Sequence, residues 1–206
     1  MKHYKSYFEN EQECLKAILE IHNNGHTFDL DPMYNKGNFY KTIEKPKYRF
    51  DINPIVDDCS LGNAENLPLE SGSIKSMILD PPFMICTRES QRNFYSSRTH
   101  SFYNSNQDLI DGYKKLIQEA YRILADKGLL VFKCQDYTDS RTIMSHCIVY
   151  NLATELGFYA KDLAILNIPK SKVYNGNTKQ RHFRKVHTYF WVFVKNKRLE
   201  GKDVKD

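Results

Sequence analysis

Residues 80–83 read Asp-Pro-Pro-Phe and stand directly after the strand-like run SIKSMIL at 73–79. The residue types have a physical use in that order. A carboxylate accepts hydrogen bonds from several directions, proline fixes φ at about −65° and so holds its neighbouring carbonyl in place, and an aromatic ring offers a flat apolar face. Asp80, Pro81, Pro82 and Phe83 together make rigid acceptors beside a stacking surface, and they are the catalytic candidates. Three further stretches, HTFDLDP (26–32), KYRFDINP (47–54) and CSLGNA (59–64), also read as short strands running into polar or proline-marked ends. In an open parallel sheet, ligands bind beyond the carboxyl ends of the strands. Four such ends on one edge define a site better than any one of them.

The remaining elements must position that edge. In NEQECLKAILEIH (10–22), Cys14, Leu15, Ile18, Leu19 and His22 share one helical face, which predicts a leading amphipathic helix within residues 1–25. Residues 106–125 carry Leu109, Tyr113, Leu116, Ile117, Ala120, Tyr121 and Leu124 at helical spacing. A Gly turn then leads into GLLVFKCQD, a strand apolar enough from Leu129 to Phe132 to be buried on both faces. Residues 141–157 predict another helix ending at Gly157, and FYAKDLAILNI and HTYFWVFVK predict two last strands joined only by a loop. The expected fold is α/β in one domain over 1–206: a mostly parallel seven-stranded sheet with an antiparallel last strand, flanked by helices. Residues 84–105 and 170–186 are expected as loops and 199–206 as a tail. Only about six residues separate RFD from CSLG, fewer than the roughly dozen a parallel crossover uses. Either the second strand lies elsewhere or that edge of the sheet is reduced.

Composition narrows the class. The chain has 206 residues, 41% hydrophobic and 27% charged, which describes a globular protein rather than a disordered one. Its five cysteines are scattered without a CxxC pair, and its histidines show no metal-binding spacing, so neither a disulfide framework nor a metal site is expected. The N-terminal residues lack an apolar signal-like core, and no run reaches the ~20 apolar residues of a membrane span, so a cytoplasmic protein is expected. The net charge is +5, and residues 170–198 carry basic side chains without a single acid. Such a segment attracts a polyanion.

The order of segments from about 26 to 195 resembles the class I S-adenosylmethionine-dependent methyltransferases. DPPF at 80–83 is similar to the signature of the branch that methylates exocyclic amino groups of nucleic-acid bases. DCSLGNAENLPLESGSIKSMILDPPF carries the likeness most strongly, and IQEAYRILADKGLLVFK, LATELGF and HTYFWVFVK follow it in order. The resemblance implies a Rossmann-like fold and S-adenosylmethionine as cofactor. It implies cofactor contacts from Asp31, Pro32, Tyr34 and Gly37 in DPMYNKG, from Asp51 toward ribose hydroxyls, and from Asn63 and Ala64 toward adenine. The loop at 31–37 holds one glycine where the family usually has several, and Asn63 stands where an acid is commoner.

The implied chemistry fits the residues. An exocyclic amino nitrogen is a poor nucleophile because its lone pair is delocalised into the ring. If Asp80 and the Pro81 carbonyl each accept one N–H, the nitrogen turns toward tetrahedral geometry and its lone pair can face the methyl group. Phe83 would stack on the extruded base. Arg88 and Arg92 in one loop, and Lys172, Arg181 and Arg184 in the other, are expected to bind substrate phosphates. With Asp leading the tetrapeptide, DNA adenine N6 is the expected target. RNA adenine, a protein glutamine or small molecule, and a non-catalytic nucleic-acid-binding relic of the fold are the alternatives. No membrane partner is expected.

Overall fold

The computed structural model describes residues 3–86, 102–138, 141–168 and 181–196. Among these residues, ten strands and three α-helices follow along the chain. They are β1 (Tyr7–Phe8), α1 (Glu11–His22), β2 (Leu30–Asp31), β3 (Tyr48–Asp51), β4 (Ser60–Leu61), β5 (Ile74–Leu79), α2 (Asn106–Ile123), β6 (Leu124–Cys134), β7 (Tyr137–Thr138), β8 (Thr142–Ile143), α3 (Ser145–Glu155), β9 (Phe158–Asn167) and β10 (His187–Lys195). A 3-10 turn covers Asn38–Tyr40. Among the described residues no helix is long and apolar enough to cross a membrane.

The main sheet has eight strands in the order β1-β9-β10-β6-β5-β2-β3-β4. This corrects the seven-stranded expectation: residues 7 and 8, ahead of the leading helix, form a strand that pairs in parallel with β9 at Ile165 and Leu166. β10 runs antiparallel to both β6 and β9, as expected of the last strand, and the other pairings in this sheet are parallel. Two boundaries also move. Thr142 and Ile143 pair with β7 instead of opening a helix, so α3 starts at Ser145. The segment before Leu129 stays in the sheet through a bulge, where pairing with β5 shifts between Ile74 and Ser76 and Lys127 takes φ 61°.

The helices form where apolar spacing and caps coincide. The Asn10 side chain accepts hydrogen bonds from the N–H groups of Gln12 and Glu13 and so starts α1. Ser105 does the same for α2 by accepting from Asp108 N at 3.1 Å. Lys195, on β10, donates to the carbonyls of Tyr121 and Leu124 at the other end of α2. Gly112 sits inside α2 because the Tyr103 ring lies on it: a Cβ there would stand 2.6 Å from Tyr103 Cε1.

Each face of the sheet carries its own core. One face packs Met77, Leu79, Leu130, Phe132 and Phe193 against Tyr113, Leu116, Ile117 and Ala120 of α2 and Val149 and Ala153 of α3. The other packs Ile78, Leu129, Val131, Phe190 and Val192 against Leu15, Ile18 and Leu19 of α1 and Phe39 and Tyr40 of the 3-10 turn. Leu129 to Phe132 are all buried, as a strand covered on both faces requires. The β3–β4 flank is different. β4 pairs in parallel with β3 after a connection with no helix, β3 is half-buried throughout and β4 is exposed. The short spacing between RFD and CSLG is therefore a reduced sheet edge, not a misplaced strand.

Candidate active site at the carboxyl edge

From β2 the chain winds outward through β3 and β4, then returns to place β5 on the other side of β2. The reversal makes a topological switch point at the carboxyl ends of β2 and β5, the place where open α/β sheets bind ligands. Asp31 ends β2, Asp51 ends β3 and Asp80 follows β5.

The β2–β5 pairing is a single register position, Leu30 against Met77, and side chains reinforce it. Asp29 Oδ2 accepts from Lys75 N at 2.9 Å and Ser76 N at 3.2 Å, while Asp29 N donates to Ser76 O at 3.0 Å. The strands that lead to Asp31 and Asp80 are thus pinned together.

Asp31 is 2% exposed. Its Oδ1 accepts from Met33 N at 2.9 Å and its Oδ2 from the Tyr40 hydroxyl at 2.8 Å. Burial pushes its carboxyl up to about 7, Asp80 and Asp51 push the same way, and the two hydrogen bonds oppose them. Pro32 beside it is buried. Tyr34 is 3% exposed and stacks on Tyr40 at 5.5 Å. Gly37 takes φ 68°, and a Cβ there would lie 2.5 Å from the Tyr34 hydroxyl. The room left by the missing side chain at 37 is filled by Tyr34, so the loop is closed by its own aromatic ring.

Asp51 is half-buried and orients two turns: Oδ2 accepts from Asn35 N and Oδ1 from Asn53 N, each at 2.9 Å. Next to it Ile52 is 66% exposed. Asn63 is exposed, and its Oδ1 accepts from Glu65 N at 2.9 Å. One lone pair of that oxygen is engaged, and the amide N–H2 remains able to donate. Ala64 is buried. The 63–69 loop is held from below by α2: Glu119 Oε1 accepts from Leu67 N at 2.7 Å, and Arg122 donates to the carbonyls of Leu67 and Leu69.

The tetrapeptide follows β5 directly. Pro81 is buried, and Pro82 and Phe83 are half-buried. The Tyr113 hydroxyl donates to Pro82 O at 3.2 Å, which fixes the segment's direction. Phe83 belongs to neither core cluster. Asp80 Oδ2 meets Lys133 Nζ at 3.1 Å, and Lys133 in turn meets Glu11 Oε1 at 3.1 Å. Burial pushes the Asp80 carboxyl above its ordinary range, Lys133 pulls it down and Glu11 adds to the upward push. Downstream, Ile85 and Tyr103 form a bridge, with Cys86 N donating to Tyr103 O and Tyr103 N to Met84 O.

Just past the end of β6, buried Asp136 accepts from His146 Nδ1 at 2.7 Å and from the Tyr189 hydroxyl at 3.3 Å. His187 Nε2 lies 2.7 Å from that hydroxyl. Asp136 also accepts from His146 N and so caps α3 from across the sheet edge. Close by, Thr142, Met144, Arg181, His182, Phe183 and Lys185 line an open cavity of about 490 Å³. Arg181 and Arg184 are exposed, and Phe183 is 87% exposed. Arg88, Arg92 and Lys172 lie outside the described residues. Among the described residues no group of three or more His, Cys, Asp or Glu could hold a metal ion.

Sequence reasoning missed Lys133, Glu11, Tyr40, Glu119, Arg122 and the Asp136 network. Lys133 had a signal: a lysine in the run GLLVFKC is in a place where lysine is buried only when paired.

Sheet, switch point and acidic carboxyl edge define a Rossmann-like methyltransferase fold. The 1,6-didemethyltoxoflavin-N1-methyltransferase of Burkholderia thailandensis shares it with TM-score 0.54 at 11% identity, covering 91% of this chain and 79% of that one. A profile of the N6/N4 DNA methylases matches residues 74–205, and the chain belongs to that family of DNA methylases. Two weaker structural likenesses are a candidate DNA modification methylase of Thermus thermophilus (15% identity, TM-score 0.48, 77% of this chain and 57% of that one) and the PvuII cytosine-N4-specific DNA methyltransferase (16%, 0.48, 66% and 48%). The chain thus spans about half the length of those two proteins. No curated protein sequence matches it.

Proposed function

We propose that the protein transfers a methyl group from S-adenosylmethionine to the exocyclic amino group of a nucleic-acid base, adenine N6 in DNA. One observation carries this reading: Asp31 ends β2, Asp51 ends β3 and Asp80 follows β5, so three carboxyls stand at the carboxyl ends of three neighbouring strands at the switch point. Such an edge suits a cationic ligand, and its donor set suits this one. Asp51 keeps lone pairs for ribose hydroxyls beyond the two N–H groups it accepts, exposed Ile52 offers an apolar face, and the Asn63 amide offers a donor to adenine. S-adenosylmethionine, when bound, supplies the electrophilic methyl carbon on a sulfonium.

The chain's own residues do the rest. Asp80 Oδ1 has no donor among the described residues, and neither does the Pro81 carbonyl, whereas Pro82 O is taken by Tyr113. Those two oxygens are the acceptors for the amino N–H groups, and the prolines keep them in place before substrate arrives. Alignment of nitrogen and methyl carbon is then a matter of fixed geometry. Phe83, free of the core, stacks on the base, and Arg181, Arg184 and Lys185 hold phosphates at the same edge. The described residues share one main sheet, in keeping with one methyltransferase domain.

Incubation with labelled S-adenosylmethionine and DNA or RNA oligonucleotides, followed by mass spectrometry of the nucleosides, tests the reading; N6-methyladenosine in its deoxy form is expected. Asp80→Ala should abolish transfer while calorimetry still shows cofactor binding. Methylation surviving in that variant would remove Asp80 from the chemistry.

A further inference from the structure

Lys133 lies on β6 one position beyond the Leu79–Phe132 pair, so it stands beside Asp80 across two parallel strands. Phe132 and Cys134 point to the α2 face, and Lys133 therefore points to the α1 face, where its side chain is 14% exposed. Its ammonium is enclosed by Asp80 Oδ2 and Glu11 Oε1, each at 3.1 Å, and by the rings of Phe39 at 4.8 Å and Phe190 at 5.7 Å. Glu11 alone would be enough to neutralise a buried lysine. The structure instead places the ammonium between two acids from distant parts of the chain, one of them in the tetrapeptide.

We propose that Lys133 is a positioning residue for the transfer: it grips Oδ2 of Asp80, leaves Oδ1 as the single acceptor for the base's amino group on that side chain, and is itself balanced by Glu11 from the first turn of α1. This deepens the reading above and rests on it. The three side chains sum to one negative charge when all are ionised, so the cluster holds a lysine and still presents a net anion to a cationic cofactor. An acceptor must be unprotonated to work. Burial alone would raise the Asp80 carboxyl, and the adjacent ammonium offsets that. Desolvation works against the Lys133 charge, but Asp80 and Glu11 together raise its pKa, so the grip persists at neutral pH. The other titratable groups facing Asp80 are Asp31 from β2, Tyr113 from α2 and Cys134 from β6. None of them donates to its carboxylate.

The charges on either side of Asp80 act in opposite directions, which gives the test a sign. The Asp80 carboxyl is followed by ¹³C NMR, assigned with Asp80→Asn, and in parallel the pH dependence of single-turnover methylation is measured. Lys133→Met should move both the carboxyl titration and the acid limb of the rate to higher pH. It should also lower the rate at neutral pH by about tenfold or more, with Lys133→Arg restoring part of it. Glu11→Gln should move both to lower pH. A titration unmoved by Lys133→Met, or shifted the same way by both variants, overturns the proposal. If Lys133→Met does not fold, Glu11→Gln decides alone by the direction of its shift. The NMR titration needs no turnover, so a protein that methylates no base would sink the proposed reaction while leaving the grip on Asp80 separately measured.

Discussion

Asp31 is 2% exposed and lies in the field of Asp51 and Asp80, so its proton matters for both stability and charge at the edge. In the unfolded chain such a carboxyl titrates at about 3.9; in the fold it does so at about 7. Between those values the native state holds a proton that the unfolded state has lost, so stability falls as pH rises from about 4 to about 7 and is level above that. Asp31→Asn should flatten this window, read from urea midpoints across it. A variant whose stability falls as steeply as the parent's would show that another group carries the dependence. The same proton bears on the site. Below about 7 Asp31 is mostly protonated and adds no charge to the acidic edge, and above it Asp31 adds its negative charge.

At the scale of elements, the 63–69 loop depends on a pair in α2. Glu119 takes the Leu67 N–H and Arg122 holds two loop carbonyls. Burial works against the Glu119 charge, but Arg122 and the Leu67 N–H hold its pKa below the ordinary range. Its contribution to stability is therefore present above about pH 4.3 and lost as pH falls through the depressed value. Glu119→Gln should cost about 1–3 kcal/mol and weaken S-adenosylmethionine binding through the displaced Asn63. Calorimetry showing full affinity would separate the loop from the cofactor site. None of this contact was legible in sequence, because Leu67 and Glu119 are 52 residues apart. The long strands and all three helices were legible, since apolar period and caps are local signals. The acids and prolines that end β2, β3 and β5 were legible for the same reason. The two-residue strands β1, β7 and β8 were not: their pairing carries no pattern of its own. Lys133 was visible as an oddity in an apolar run, but its partner Glu11 lies 122 residues away, and only the folded sheet brings them together.

For the molecule as a whole, the +5 charge and the acid-free segment at 170–198 are opposite in sign to the acidic carboxyl edge. A polyanion would be drawn to the exposed basic residues Arg181 and Arg184, and the three carboxyls would repel phosphate from their own edge. Neutralising Arg181 and Arg184 together should weaken oligonucleotide binding and lower the slope of log affinity against log salt by about 1.8, or about 0.9 for each phosphate that is no longer neutralised. An unchanged slope would place the phosphate-binding groups elsewhere. The sheet is also unequal from side to side. Its middle strands are clamped between two cores, whereas among the described residues β3 is only half-buried and β4 is exposed. Backbone amides on that thin flank have few packed atoms to hold them closed, so it can breathe while the rest stays shut. A nucleoside donor seated against Asp51 and Asn63 would act there as a staple, its occupancy setting how stiff the flank is. Entry of such a donor and exit of its spent form would then need only local opening of that one margin.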